Sequence, residues 1–137
     1  MKTLIWNCQG LGNPETVQFL GQLVASKGPS LIFLCDTRLN KAKAENVKRR
    51  IDMVGNLVVE RSNDCLGLML LWSEEIQIDL LFFSRSHIDV VVTKGEEKFR
   101  FTGMYEIAIE LGKRRIGIYW MPLSPYQIYL GCWGRSE

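Results

Sequence analysis

"KTLIWNCQGLGNPETVQFLGQLVASKGPSLIFLCD", residues 2–36, decides the fold class. Lys2–Trp6 is a short run of β-formers that stops on Asn7 and a Gly-rich loop. Asn13 is placed to cap a helix with Pro14 at its first position and Glu15 in its first turn. Val17, Leu20 and Val24, with Phe19 and Leu23 alongside, give that helix one broad apolar face, and Gly28-Pro29 ends it. Ser30–Cys35 then reads as an apolar strand. Strand, helix, strand over so few residues predicts a crossover between two parallel strands of one sheet. Asn7 and Asp36 would then leave the same sheet edge, at the carboxyl ends where open α/β sheets place ligands.

Working outward, a basic helix is predicted over residues 40–52, with Val47 and Ile51 as its apolar contact. Lys41, Lys43, Lys48, Arg49 and Arg50 fall mostly outside it, either as a solvated face or as a contact for phosphates. Five strand-like runs follow, at 56–62, 66–72, 76–84, 87–93 and 98–105, with turns at Asn63-Asp64, Ser73-Glu74 and Lys94-Gly95. Strands in series predict an antiparallel meander, and the whole reads as an α/β layered sandwich.

Composition agrees with a globular domain. The chain has 137 residues, 47% of them hydrophobic and 23% charged, enough to bury a core without staples. A net charge of +2 does not by itself argue for nucleic acid. Cys8, Cys35, Cys65 and Cys132 are far apart with a single His, so neither zinc nor a disulfide framework is indicated, and reduced thiols of an intracellular protein are expected. The first apolar run is too short for a signal sequence or a membrane span, so no membrane association is expected.

Asn7 offers an amide oxygen and Asp36 a carboxylate, hard donors of the kind Mg²⁺ accepts while keeping several waters. Strand-terminal Asn and Asp are also common turn residues, and on spacing alone the turn reading stands ahead.

The segments "LIWNCQGLGNPETVQFLGQLV" (4–24), "PSLIFLCDTRLN" (29–40), "GLMLLW" (67–72), "SHIDVVV" (86–92) and "FRFTGMY" (99–105) resemble successive blocks of the endonuclease/exonuclease/phosphatase family. They are most similar to the N-terminal endonuclease of plant LINE-type (non-LTR) retrotransposons. The likeness runs from residue 1 to about residue 105, which is roughly the first half of the family domain. It implies a partial four-layered, DNase I-like α/β sandwich, Mg²⁺ or Mn²⁺ as cofactor, DNA as partner, a nuclear location, and hydrolysis of phosphodiester bonds by an activated water. By this resemblance Asn7 matches the Asn beside the metal, Asp36 takes the place of a metal-binding Glu, and Tyr105 matches the Tyr that approaches the scissile phosphate.

This sequence also departs from the family. Asp36 is one methylene shorter than Glu, so its carboxylate falls short by roughly 1.5 Å, and weak metal binding is expected. His87 sits in an internal strand rather than in the family's late Asp-His pair and is read as structural. For Tyr105 a hydroxyl in water at a strand end is the competing reading.

Residues 1–106 form the family-like part, and 107–137 are a divergent tail without the family's late Asp, Asn and His motifs. Codons compatible with "IGIYWMPLSPYQIYLGCWG" (116–134), read one nucleotide earlier, can spell "WDLLDALISLSNLPWVLG", the family's next segment. A frame change near Lys113-Arg114-Arg115 accounts for the tail, and a divergent strand pair is the alternative. On the first reading the domain is truncated, an apolar sheet face is left uncovered, and self-association through it is expected. Three functions stay open: a weak or inactive Mg²⁺-dependent endonuclease, a non-catalytic nucleic-acid-binding protein, and a retroelement relic.

Overall fold

The computed structural model describes residues 1–63, 65–108 and 113–122, the residues beyond 105 as backbone alone. Asp64 of the expected turn, Cys132 and the tail beyond Pro122 lie outside the described residues. The protein is a mixed α/β structure dominated by strands, with two helices and two four-stranded sheets among the described residues. It divides into two compact units, Met1–Glu75 and Ile76–Glu137. None of its described helices is long and apolar enough to cross a membrane.

The first unit holds β1 (Thr3–Asn7), α1 (Pro14–Lys27), β2 (Leu31–Cys35), α2 (Lys41–Arg50), β3 (Gly55–Val59) and β4 (Leu68–Trp72). Its sheet runs in the order β1-β2-β4-β3. β1 and β2 are parallel, from Thr3 opposite Leu31 to Asn7 opposite Cys35, as the strand–helix–strand reading requires. The start and stop signals of α1 also hold. Asn13 Oδ1 accepts the Glu15 amide at 2.9 Å, and Gly28, left-handed at φ 59°, closes the helix by donating its amide to the Val24 carbonyl.

Side-chain alternation assigns the two faces of this sheet. Leu4, Trp6, Ile32, Leu34, Val58, Met69 and Leu71 share one face and pack with Val17 and Leu20 of α1 and Ala44 and Val47 of α2. Phe19 departs from the expected helix face, being exposed with its ring 5.5 Å from that of Trp6. Every residue of β2 is fully buried. A buried side chain of this size contributes about 1.5–3 kcal/mol, so β2 is a firm base for the loop that leaves it.

The expected five-stranded meander is corrected here. β3 and β4 do not begin a series with the later strands but join the first sheet, β4 lying antiparallel between β2 and β3. The physical reason is in the sequence: Leu68–Leu71 is apolar at every position, and such a run needs both faces covered, which an interior strand supplies. Gly55 fits the same arrangement, because a Cβ there would stand 2.1 Å from the Trp72 ring.

The second unit is an antiparallel meander of β5 (Gln77–Phe83), β6 (His87–Lys94), β7 (Glu97–Ala108) and β8 (Lys113–Pro122), in sequential order. β6 and β7 are joined at Gly95-Glu96, where Gly95 has φ 60°. β8 falls within the stretch read as a divergent tail and pairs along β7 from Ala108 opposite Lys113 to Phe99 opposite Pro122.

Candidate functional site

At the carboxyl end of β1 and β2 the chain continues as two loops fastened to each other by their backbones. The Cys8 amide donates to the Cys35 carbonyl at 3.1 Å, Gly10 to Asp36 at 2.7 Å, and Leu11 to Thr37 at 2.9 Å. A third segment closes the other side, with the Thr37 amide on the Gly67 carbonyl at 3.2 Å and the Arg38 amide on that of Leu66 at 2.8 Å. Five amides of this edge, those of Cys8, Gly10, Leu11, Thr37 and Arg38, therefore have partners without being part of a strand ladder. The geometry needs unusual backbone: Asp36 and Arg38 are left-handed, at φ 54° and 55°. Gly67, at φ 93°, has no space for a side chain, since a Cβ would come within 2.5 Å of Thr37 Oγ1.

This edge brings Asn7 and Asp36 together, as the sequence predicts. Asn7 lies cross-strand from Cys35, on the sheet face away from the helices, and Asp36 is the next residue after Cys35. Asn7 Oδ1 is buried and has no hydrogen-bond partner among the described residues, and the same is true of Thr37 Oγ1. Left alone, each such group costs about 1–3 kcal/mol, so each calls for a partner such as a bound water or an ion.

Asp36 is occupied. Its side chain is fully buried, and Arg38 donates to both oxygens, Nε to Oδ1 at 2.9 Å and Nη2 to Oδ2 at 3.2 Å. The Arg38 side chain is 47% exposed, so it forms a lid, open to water while its guanidinium holds the carboxylate. Sequence reasoning missed Arg38. The available signal was its position two residues beyond Asp36, a spacing that meets only when the backbone between them turns left-handed.

Two thiols underlie the edge. Cys8 Sγ donates to the Cys35 carbonyl at 3.1 Å, and its pKa is pushed up to about 12, chiefly by burial and then by the Asp36 charge. Burial, followed by Cys8 and Asp36, drives the Cys35 thiol up as well. Burial thus disfavours the thiolate form of both, which makes them poor nucleophiles at neutral pH.

No family model and no curated protein matches this chain. Tyr105 belongs to the second unit, and it is buried rather than in water, its amide donating to the Ser86 carbonyl at 2.8 Å. Of the basic residues on α2, Lys48 and Arg49 pair with Glu45 at 3.1 and 3.7 Å, and Lys41, Lys43, Arg49 and Arg50 are exposed. His87 is bound into the turn before β6, with Nδ1 2.5 Å from Ser84 Oγ and its ring against Phe82.

A divalent cation is the group that the Asn7–Asp36 pairing suggests. The orphaned amide oxygen of Asn7 suits a hard cation, but the Asp36 carboxylate has given both oxygens to Arg38. As folded, the pair does not fit such an ion. The guanidinium already supplies the positive charge, and a metal would have to displace it.

Proposed function

We propose that the chain carries the first half of a DNase I-like, four-layered α/β sandwich of the endonuclease/exonuclease/phosphatase type, related to the N-terminal endonuclease of plant LINE-type retrotransposons. Its Mg²⁺- or Mn²⁺-dependent cleavage of DNA phosphodiester bonds is weak or lost. One observation carries the reading: parallel strands deliver Asn7 and Asp36 to one edge, with the Asn7 amide oxygen buried and without a partner. The Arg38 lid on Asp36 supports the second half, because it holds the acid that would otherwise meet the cation. A nuclear protein that meets DNA is the setting this reading implies, with Lys41, Lys43 and Arg50 as exposed cations of α2 that could meet phosphates.

Manganese binding followed by water-proton relaxation tests this, with nicking of supercoiled plasmid alongside. The expected result is weak binding and background nicking by the natural sequence, at least about tenfold tighter binding by Arg38→Ala, and loss of that gain on adding Asn7→Ala. A tenfold gain corresponds to about 1.4 kcal/mol, less than one charge-assisted hydrogen bond contributes. Equal Mn²⁺ affinity in all three proteins overturns the reading, and so does vigorous nicking that survives Asn7→Ala.

A further inference from the structure

Strand β5 is the edge of its sheet and carries the longest exposed apolar run of the described residues. Leu80, Leu81, Phe82 and Phe83 are 43%, 50%, 60% and 55% exposed. Scattered apolar residues on a surface are ordinary, but four in succession on a strand with one unpaired backbone edge are not. We propose that β5 pairs antiparallel with β5 of a second copy of this chain, making a two-fold dimer with one continuous sheet.

The register of the sheet supports that occupant. Ile78 and Leu80 stand opposite Val92 and Val90, so they belong to the apolar face on which Ile88, Val90, Val92 and Phe101 are buried. A bulge between Leu80 and Phe82 then shifts the phase, so that Phe83 stands opposite Ile88. The bulge therefore returns Phe83 to the same face as Leu80, where an unbroken strand would have turned it away. The apolar face is covered at β6 and β7 and uncovered at β5.

This pattern is self-complementary. Reversing the strand about an axis near Leu81 exchanges Leu80 with Phe83 and keeps both on one face, so each leucine of the pair meets the partner's phenylalanine. Asp79, the one charge on β5, lies outside that exchange, and no like charges are forced together. An isologous contact of this kind closes on itself and consumes the edge in both copies.

The exposed area limits the size of the contact. Two half-exposed phenylalanines present roughly 200 Å² between them. With the leucines a dimer hides on the order of 700–800 Å², below the ~1,200 Å² of a stable standard interface. A weak dimer is the consequence, with dissociation in roughly the micromolar range or above.

Sedimentation equilibrium of the full chain over about 5 to 500 μM is expected to show a monomer–dimer equilibrium with no larger species. Phe82→Lys should weaken association at least tenfold, since it places an unpaired charge in the contact, and Phe82→Thr, which keeps strand propensity, should weaken it less. Hydrogen exchange supplies the specific readout: β5 amides should slow at high concentration in the natural sequence and not in the lysine variant. A chain that stays monomeric throughout, or that grows past a dimer into fibres, overturns the proposal. A dimer unmoved by either substitution, or one with unchanged β5 exchange, does so too.

Discussion

Arg38→Ala is the most informative single change, because it separates what holds the loop edge from what the edge could bind. Asp36 is fully buried and receives two charge-assisted hydrogen bonds from Arg38, at 2.9 and 3.2 Å. Breaking a fully buried ion pair typically costs about 3–5 kcal/mol, because one charge is left in low dielectric. Arg38 is 47% exposed, however, so water can enter where the guanidinium stood and recover part of that. About 2 kcal/mol is the expected loss. Asp36→Asn is the matching change, since Asn tolerates the left-handed backbone at this position and keeps the shape of the carboxylate. The double variant should be more stable than the two single losses predict, by a coupling of about 1–2 kcal/mol. Urea unfolding followed by tryptophan fluorescence, to which Trp6 and Trp72 of the first unit contribute, reads all four proteins. Saturating Mn²⁺ should then restore stability to Arg38→Ala, since a ligand of the folded state adds about 2.7 kcal/mol at a hundred times its dissociation constant. A loss below about 0.5 kcal/mol, or additivity within about 0.3 kcal/mol, would show that the pair is a surface contact and that the lid has no hold on the acid.

Gly67→Ala should lower stability by about 2–4 kcal/mol, the sum of a strained positive φ and an overpacked Cβ 2.5 Å from Thr37 Oγ1; a thermal melt unchanged from the natural chain would contradict the close approach. The second unit should be sensitive to acid through Asp89, whose carboxyl is held below its usual pKa first by the Arg100 hydrogen bonds and then by the Thr102 hydroxyl, against the opposing effect of burial. A lowered folded pKa stabilises above the unfolded carboxylate value near ~3.9 and loses that contribution as pH falls through the folded one. Arg100→Met should therefore move the acid transition, followed by near-ultraviolet circular dichroism, to higher pH, and coincident transitions would refute the assignment.

The fold was readable where a local rule had no competitor. Asn13, Pro14 and Gly28 each satisfy a backbone demand that does not depend on the rest of the molecule, and α1 begins and ends where they stand. The parallel pairing of β1 and β2 follows from chain connectivity, since a helix must carry the chain back along the sheet. The position of β4 was less legible. Adjacent strands in sequence usually pair, and they do at β3–β4, but which sheet receives the hairpin depends on where an all-apolar strand finds cover on both faces. Pattern along a chain reports that need without naming the neighbour that meets it.

The site shows the same division at shorter range. Asn7 and Asp36 could be placed on one edge because strand ends are set by topology, and topology was legible. What Asp36 does there was not, because its partner is two residues away and reaches it only through two left-handed residues, Asp36 and Arg38 themselves. Asp tolerates that conformation, and Arg has no preference for it. The three hydrogen bonds from amides of the Cys8–Leu11 stretch to the Cys35–Thr37 carbonyls, with two more from the Thr37 and Arg38 amides to the Gly67 and Leu66 carbonyls, over-determine the backbone and hold it there. The same bonds fix the acid two residues from a cation, so the loop's own architecture, and not the length of the Asp36 side chain alone, decides whether a metal can compete for it.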